Sequence, residues 1–168
     1  MDVRVVLGID PGYARCGWGV IQANGDKINL VDFGTIQTDN GVTFSTRMRE
    51  VREHLKTIIT THRPSLAGVE MLCPSAEKHN ILNVAQVRGV ILLLIDDAQI
   101  NLHQLPPGEV KRQITGSWIA GKKDIEKAVR DLLNIDPNRR EYDDAFDALA
   151  VAISAATFDK MRQDKLFI

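Results

Sequence analysis

The stretch that decides the fold is VRVVLGIDPGYARCGWGVI, residues 3–21. Residues 3–9 are mostly β-branched and apolar, a composition typical of a strand. Asp10-Pro11-Gly12 interrupts this run with turn-forming residues, and residues 18–21 resume the extended pattern. A third run, with regularly placed apolar residues, follows at residues 27–37. The sequence therefore predicts a domain that opens with three meandering strands.

The rest of the chain alternates helical and strand patterns. Between residues 44 and 62, apolar residues recur every three or four positions with basic residues between them, which predicts an amphipathic helix. The later predicted elements are a strand at 66–72, a helix ending near 96, a strand at 98–105, and helices at 107–114, 124–134 and 142 to about 158. This order predicts one α/β domain over residues 1–168, with a mixed five-stranded sheet and helices on both faces.

Composition excludes several classes of protein. With 168 residues and 44% hydrophobic content, the chain can bury a core without disulfides or a structural metal. Cys16 and Cys73 lie far apart, so the spacing favours neither a disulfide framework nor a zinc site. No apolar stretch reaches the roughly 18 residues that a membrane span needs. We therefore expect a cytoplasmic protein with no membrane segment.

The charges are segregated along the chain. A net charge of -1 argues by itself against a DNA-binding protein. Residues 108–130, however, carry six basic residues against three acidic ones: Lys111, Arg112, Lys122, Lys123, Lys127 and Arg130 against Glu109, Asp124 and Glu126. A cluster of acids follows at once: Asp136, Glu141, Asp143, Asp144 and Asp147. This arrangement suits a site where cations bridge protein carboxylates to phosphate.

Two strand carboxylates are candidate functional residues. Asp10 ends the first strand before a Pro-Gly turn, where a ligand could approach, although an ordinary turn-forming Asp would look the same. Glu70 lies within the apolar run of residues 66–72, where an unpaired carboxylate is costly to bury. If that strand is at an edge of the sheet, Glu70 simply faces water.

The last predicted helix carries three further acids. Asp147 is three or four residues from Asp144 and Asp143, so it shares a helix face with either of them. Acids at a helix start also serve as solvated caps. The surrounding alanines would nevertheless let this helix pack closely on a sheet and press its acidic face toward Asp10 and Glu70.

Together these carboxylates form an oxygen-rich set of the kind that holds Mg²⁺ or Mn²⁺. Two such ions, roughly 3.5–4 Å apart, activate a water and stabilise the leaving oxygen of a phosphodiester. No nucleophile elbow, phosphate-binding P-loop or H-E-x-x-H helix offers a competing chemistry in this sequence.

Four motifs carry a family resemblance over nearly the whole chain. In order and spacing, they resemble the RuvC family of Holliday-junction resolvases: Gly8-Ile9-Asp10-Pro11-Gly12 with Gly17-Trp18-Gly19-Val20, Val69-Glu70, Gln86-Val87-Arg88-Gly89, and Asp144-Ala145-Phe146-Asp147-Ala148-Leu149-Ala150. The resemblance implies a ribonuclease H-like fold and a homodimer that resolves four-way DNA junctions by paired cuts. It also implies an endonuclease whose four acids hold divalent metal, Mg²⁺ or in its place Mn²⁺, with two ions in each site.

The resemblance also assigns roles to individual residues. The catalytic metal ligands it implies are Asp10, Glu70, Asp144 and Asp147, with Asp143 as second choice. The DNA-binding residues are Lys111 and Lys122 near the metals, with Arg112 and Lys123 in the same basic segment. The helix that contains residues 86–94 corresponds to the region where such dimers meet, and a branch-migration motor is a further possible partner.

One departure from the family pattern leaves alternatives open. The family commonly has a phenylalanine three residues after the catalytic glutamate, and Cys73 stands there. A nuclease of phage type with broader branched-DNA substrates, or a non-catalytic junction-binding protein of the same fold, remains an alternative. An ATP-using protein of the actin and sugar-kinase group would need a second similar domain, for which this chain has no room. His79 and His103 are left out of the predicted site.

Overall fold

The computed structural model describes residues 3–72 and 81–166, the last four without their side chains. Strands and helices alternate along it much as the sequence predicts. The strands are β1 (Arg4–Asp10), β2 (Arg15–Asn24), β3 (Lys27–Gln37), β4 (Leu66–Glu70) and β5 (Asn101–Leu105). The helices are α1 (Phe44–His62), α2 (Ile81–Asp97), α3 (Pro107–Thr115), α4 (Lys122–Leu133) and α5 (Asp143–Leu166).

The five strands form one mixed sheet in the order β3-β2-β1-β4-β5. β1, β2 and β3 make an antiparallel meander, while β4 and β5 run parallel to β1. Parallel neighbours need a crossover, and α1 and α2 connect β1–β3 to β4 and β4 to β5 respectively. The prediction of a mixed five-stranded sheet is confirmed.

Apolar side chains cover both faces of the sheet. One buried cluster joins Leu7 and Val69 of the sheet to Leu55 of α1 and Ile91 of α2. The other lies between the opposite face and α3, α4 and α5, with Phe146 at its centre. Helices therefore cover both faces, as the sequence predicts. Among the described residues, no helix is both long and apolar enough to cross a lipid bilayer.

α5 lies directly on the strands because glycines leave room for it. A Cβ atom on Gly17 would lie 1.8 Å from the carbonyl oxygen of Asp144, and one on Gly8 would lie 2.0 Å from the carbonyl oxygen of Ala148. On β4, a Cβ on Gly68 would come within 2.9 Å of the Ala155 Cβ. Since no layer of side chains separates helix from sheet at these points, the start of α5 is held at the edge where β1 and β4 end.

Several element ends differ from the prediction, and local backbone geometry and hydrogen bonding explain two of them. α4 begins at Lys122 rather than residue 124, because the Asp124 carboxylate accepts a hydrogen bond from the Gly121 amide at 2.9 Å and caps the helix earlier. β5 begins at Asn101 rather than residue 98, because Gln99 adopts a left-handed backbone after α2 (φ 55°). α5 extends to Leu166, beyond the predicted end near residue 158.

Candidate active site

Two carboxylates lie at the ends of neighbouring strands, at the same edge of the sheet. Asp10 is the last residue of β1, and Glu70 is the last residue of β4. The two strands are parallel neighbours, with Ile9 opposite Val69. Asp10 and Glu70 therefore follow directly from paired positions, close enough for the charge of Glu70 to act on Asp10. Glu70 follows a run of four buried residues and is itself half-buried.

The start of α5 brings two more acids to this edge. Gly17 of β2 pairs with Asp10, and the carbonyl of Asp144 sits directly over Gly17. Asp147 lies one helical turn further on, where its charge acts on both Asp10 and Glu70. The side chains of Asp144 and Asp147 are only 16% and 19% exposed, respectively. The structure thus brings together the four acids that the sequence singled out.

Burial and mutual repulsion disfavour the charged forms of these acids. Burial raises the pKa of Asp10 well above its ordinary value, and the charges of Glu70 and Asp147 raise it further. Burial, then the charge of Asp147, raises the pKa of Glu70 to about 7. Burial also raises the pKa of Asp147 to about 6, despite the opposing charge of Lys122. Burial and crowding therefore both oppose having all of these carboxylates charged at once.

Asp143 differs from its neighbours in both pairing and exposure. It accepts a hydrogen bond from Lys122 at 2.5 Å, and that bond is the main reason why its pKa lies below the ordinary value. Its side chain is 36% exposed. The Lys122 ammonium is also 3.9 Å from an Asp147 carboxylate oxygen. Lys122 therefore joins the outer acid Asp143 to the inner acid Asp147.

Arg15 is a site residue that the sequence reasoning missed. Its Nε lies 3.2 Å from Asp144 Oδ2, and its guanidinium stacks over the Tyr142 ring at 4.9 Å. This contact is an ion pair without hydrogen-bond alignment, and Asp144 Oδ2 has no hydrogen-bond donor among the described residues. The predicted hairpin after Asp10 is the signal that could have identified Arg15. In the structure this hairpin pairs Asp10 with Gly17, which brings residue 15 back beside the end of β1.

Arg88 supports the site from α2. Its Nε donates a hydrogen bond to the backbone carbonyl of Glu70 at 3.1 Å, and its guanidinium also binds the side chain of Gln104. The next backbone amide, that of Met71, donates to the carbonyl of Leu105 at 2.8 Å. These contacts hold the chain at the point where β4 delivers Glu70. The sequence marked Arg88 as part of a motif but did not assign it this role.

Two of the four predicted DNA-binding residues lie beside the carboxylates. The positive charge of Lys111, on α3, lowers the pKa of both Glu70 and Asp147, which places it near them, and Lys122 is bonded to Asp143. Arg112 points elsewhere and stacks on Trp118, with 5.1 Å between its guanidinium carbon and the ring centre. Lys123 is exposed at the start of α4.

The cysteines, the two histidines left out of the predicted site and the loop after β4 lie away from this edge or outside the described parts of the chain. Cys73, His79 and the loop of residues 74–80 are not among the described residues. Cys16 is fully buried, and burial raises the pKa of its thiol to about 12, so it is no nucleophile. His103 lies 3.4 Å from Asp159, near the other end of α5.

The carboxylates do not stand in a finished metal-binding geometry. Within residues 3–72 and 81–166, no group of three or more His, Cys, Asp or Glu side chains is arranged so that it could hold a metal ion as it stands. Lys122 and Arg15 are the basic residues that contact these carboxylates. The donor set itself consists of hard oxygen ligands.

Known proteins resemble this chain over most of its length. A sequence model of the family described as "Crossover junction endodeoxyribonuclease RuvC" matches residues 6–155. The crossover junction endodeoxyribonuclease RuvC of Heliobacterium modesticaldum is 37% identical over 152 residues, which are 90% of this chain and 93% of that protein. Its counterpart in Chloroflexus aurantiacus is 38% identical over 150 residues, covering 89% of this chain and 91% of that protein.

Solved structures agree with the sequence relatives. Thermus thermophilus RuvC in complex with Holliday junction substrate matches with a TM-score of 0.86 and 25% identity, covering 95% of this chain and 96% of that one. The yeast mitochondrial Holliday junction resolvase, at 17% identity, shares the fold with a TM-score of 0.70, over 97% of this chain and 84% of that one. The mixed sheet with helices on both faces is thus the expected ribonuclease H-like fold. This chain belongs to the RuvC family of crossover junction endodeoxyribonucleases.

Proposed function

We propose that this protein is a metal-dependent, structure-selective endonuclease that resolves four-way DNA junctions, with Asp10, Glu70, Asp144 and Asp147 as its catalytic metal ligands. The observation that carries the proposal is the convergence of these acids from β1, β4 and α5 at one edge of the sheet. Their pKa values are all raised, mainly by burial. Perturbed, clustered carboxylates of this kind are typical of functional sites.

The residues fit a divalent cation. Asp144 Oδ2 is buried and has no hydrogen-bond donor among the described residues, so it offers a lone pair for a ligand. Carboxylate oxygens suit Mg²⁺, and Mn²⁺ accepts the same donors. Asp143 is the weaker candidate ligand, because its charge is already neutralised by Lys122. Two bound ions would supply an activated water and charge stabilisation for the leaving oxygen of the cut phosphodiester.

The surrounding residues orient the acids and the substrate. Arg88 fixes the backbone of Glu70, and the glycine contacts of α5 fix Asp144 and Asp147 relative to Asp10. Lys111 and Lys122 supply positive charge beside the carboxylates, where a phosphate of the cleaved strand would otherwise be repelled. Arg112 and Lys123 extend the basic surface outward along the same segment. We assign these four residues to DNA binding.

Paired cleavage requires two active sites, and we propose a homodimer of the single domain formed by residues 1–168. The exposed face of α2 supports this assembly. Leu82 and Leu93, which share that face, are 72% and 62% exposed, and Gly89 between them has open space around it. Large apolar side chains exposed along one helix are typical of a protein interface.

A direct test uses purified protein and three labelled DNA substrates: a four-way junction, a flap and a plain duplex. Each is incubated with Mg²⁺, with Mn²⁺ or with a chelator. We expect paired, symmetric nicks in the junction only when a divalent ion is present. Cutting of all branched forms would instead indicate a broader branched-DNA nuclease. Binding of the junction without any cut would contradict the catalytic proposal.

A further inference from the structure

An exposed tryptophan lies at the tip of the turn between α3 and α4. The side chain of Trp118 is 56% exposed, and the next residue, Ile119, is 92% exposed. Only two tryptophans occur in the chain. Leaving an indole in water forgoes much of the free energy that its burial would contribute, about 25 cal/mol per Å² of apolar surface. The turn therefore presents two adjacent apolar side chains to solvent.

The indole is held in one orientation. It packs against α3 beside Gly108, where a Cβ atom would come within 3.0 Å of the ring, and Arg112, one turn later, stacks over the ring at 5.1 Å. The turn is fixed as well: the Ser117 amide donates to the Thr115 hydroxyl at 3.2 Å, and the Ile119 amide donates to the Ser117 hydroxyl at 3.3 Å. Ring and turn are thus ordered before any ligand binds.

The helices on either side of the indole carry basic residues that act on the active site. α3 also carries Lys111, whose charge acts on Glu70 and Asp147, and α4 begins at Lys122, four residues after Trp118. The exposed Lys123 and Arg112 flank the turn. Lysine is depleted in protein interfaces, whereas a flat aromatic ring beside lysines matches the bases and phosphates of a nucleic acid.

We propose that Trp118 is a stacking platform for a base of the DNA strand that enters the active site, with Arg112 holding the indole in place. This inference rests on the proposed function, because it concerns how the same site receives its substrate. Every base has a flat π-face, so the contact tolerates any sequence. It acts in binding and in placing the strand, and it takes no part in the hydrolysis itself. It predicts that cleavage depends on the ring through KM more than through kcat.

The test compares three substitutions at this position. Trp118→Phe keeps a flat ring, Trp118→Leu keeps apolar character without one, and Trp118→Ala removes both. Val31→Ala, at an exposed apolar residue of β3, is the matched control. We expect the Leu and Ala variants to bind a four-way junction about tenfold or more weakly and to raise KM similarly, since one base stack contributes about that factor. The Phe variant should recover most of the affinity, and the control should equal the wild type.

A spectroscopic readout reports the stack directly. Stacking on a base should quench the fluorescence of Trp118 when junction DNA is added, and this change should be missing in Trp118→Phe, which retains only Trp18. The inference is overturned if Trp118→Leu binds and cuts like the wild type, or if Trp118→Ala lowers the oligomeric state instead of DNA affinity. If the wild type binds the junction but never cuts it, the proposed function fails while the stacking measurements still decide this inference.

Discussion

Both ends of α5 place aspartates near basic residues, but the two ends differ in how the negative charges are paired. Near its C-terminal end, Asp159 forms an ion pair with Arg4 and lies 3.4 Å from His103. At its start, Asp147 has Lys122 no closer than 3.9 Å, and the buried Oδ2 of Asp144 has no hydrogen-bond donor among the described residues. One end pairs a single aspartate with Arg4, whereas the other shares Lys122 and Arg15 among three aspartates.

This difference separates a structural from a functional use of the same residue type. A paired aspartate stabilises the fold modestly. Crowded carboxylates with raised pKa values destabilise it, because burial opposes their charge. A destabilising cluster of this kind is typical of a functional site, here one that would bind a cation. Four predictions test this difference between the two ends of the helix.

Removing a carboxylate at the start of α5 should have the largest effect. Asp147→Asn keeps the shape of the side chain but loses the charge that would hold metal, so we expect junction cleavage to fall by about 10²- to 10³-fold or more. Junction binding and thermal stability should be retained. Asp159→Asn is the matched control on the same helix and should cut at the wild-type rate. Comparable activity losses in both variants would erase the distinction between the two ends.

Disturbing the contact that positions α5 should have the next largest effect. In Gly17→Ala the new methyl group would lie 1.8 Å from the Asp144 carbonyl, so helix and sheet must separate. We expect a loss of about 3 kcal/mol of unfolding free energy, together with reduced cleavage. Gly41→Ala, whose methyl group would meet its nearest atom at 3.4 Å, should change neither. Urea denaturation and the junction assay measure the two effects, and an unaltered Gly17→Ala variant would refute the close packing.

The pH dependence of stability without metal should reveal the crowded carboxylates. The pKa of Glu70 is raised to about 7 in the folded protein, so the folded state retains a proton that the unfolded chain releases near pH 4.5. The stability that comes with this proton is fully present below pH 4.5 and is lost as the pH rises toward 7. In the presence of a chelator, the free energy of unfolding of Glu70→Gln should therefore rise relative to that of the wild type across this range, by up to about 3 kcal/mol. A constant difference between the two proteins would contradict the raised pKa.

Breaking the ion pair at the other end should have the smallest effect, and on stability alone. Asp159→Asn weakens the contacts with Arg4 and His103, which are partly exposed. We expect the free energy of unfolding to fall by roughly 1 kcal/mol, and by less at high salt, where the ion pair is screened. Urea denaturation at two salt concentrations measures it. A gain in stability would mean that Asp159 is as strained as the acids at the start of the helix.

Much of the fold and of the candidate site was predictable from local patterns. The alternating strands around Asp10, the apolar run that ends at Glu70 and the alanine-rich helix after Asp143 each have a period or a composition that only one kind of element accommodates. Element ends were less predictable, because they depend on single contacts such as the Asp124 cap of α4. The roles of the four acids remain predictions that the cleavage assays test.

By itself, the sequence determined the strand meander and the alternation of elements, because these depend on neighbours within a few positions along the chain. It singled out the four acids only through the family resemblance, and their roles remain predictions. The tertiary structure alone decided that Arg15 faces Asp144, that Arg88 supports Glu70 and that the Trp118 indole lies against α3 beside Gly108. Such contacts join residues far apart in sequence or on separate elements. Their geometry follows from how closely the elements pack, and no local period encodes that distance.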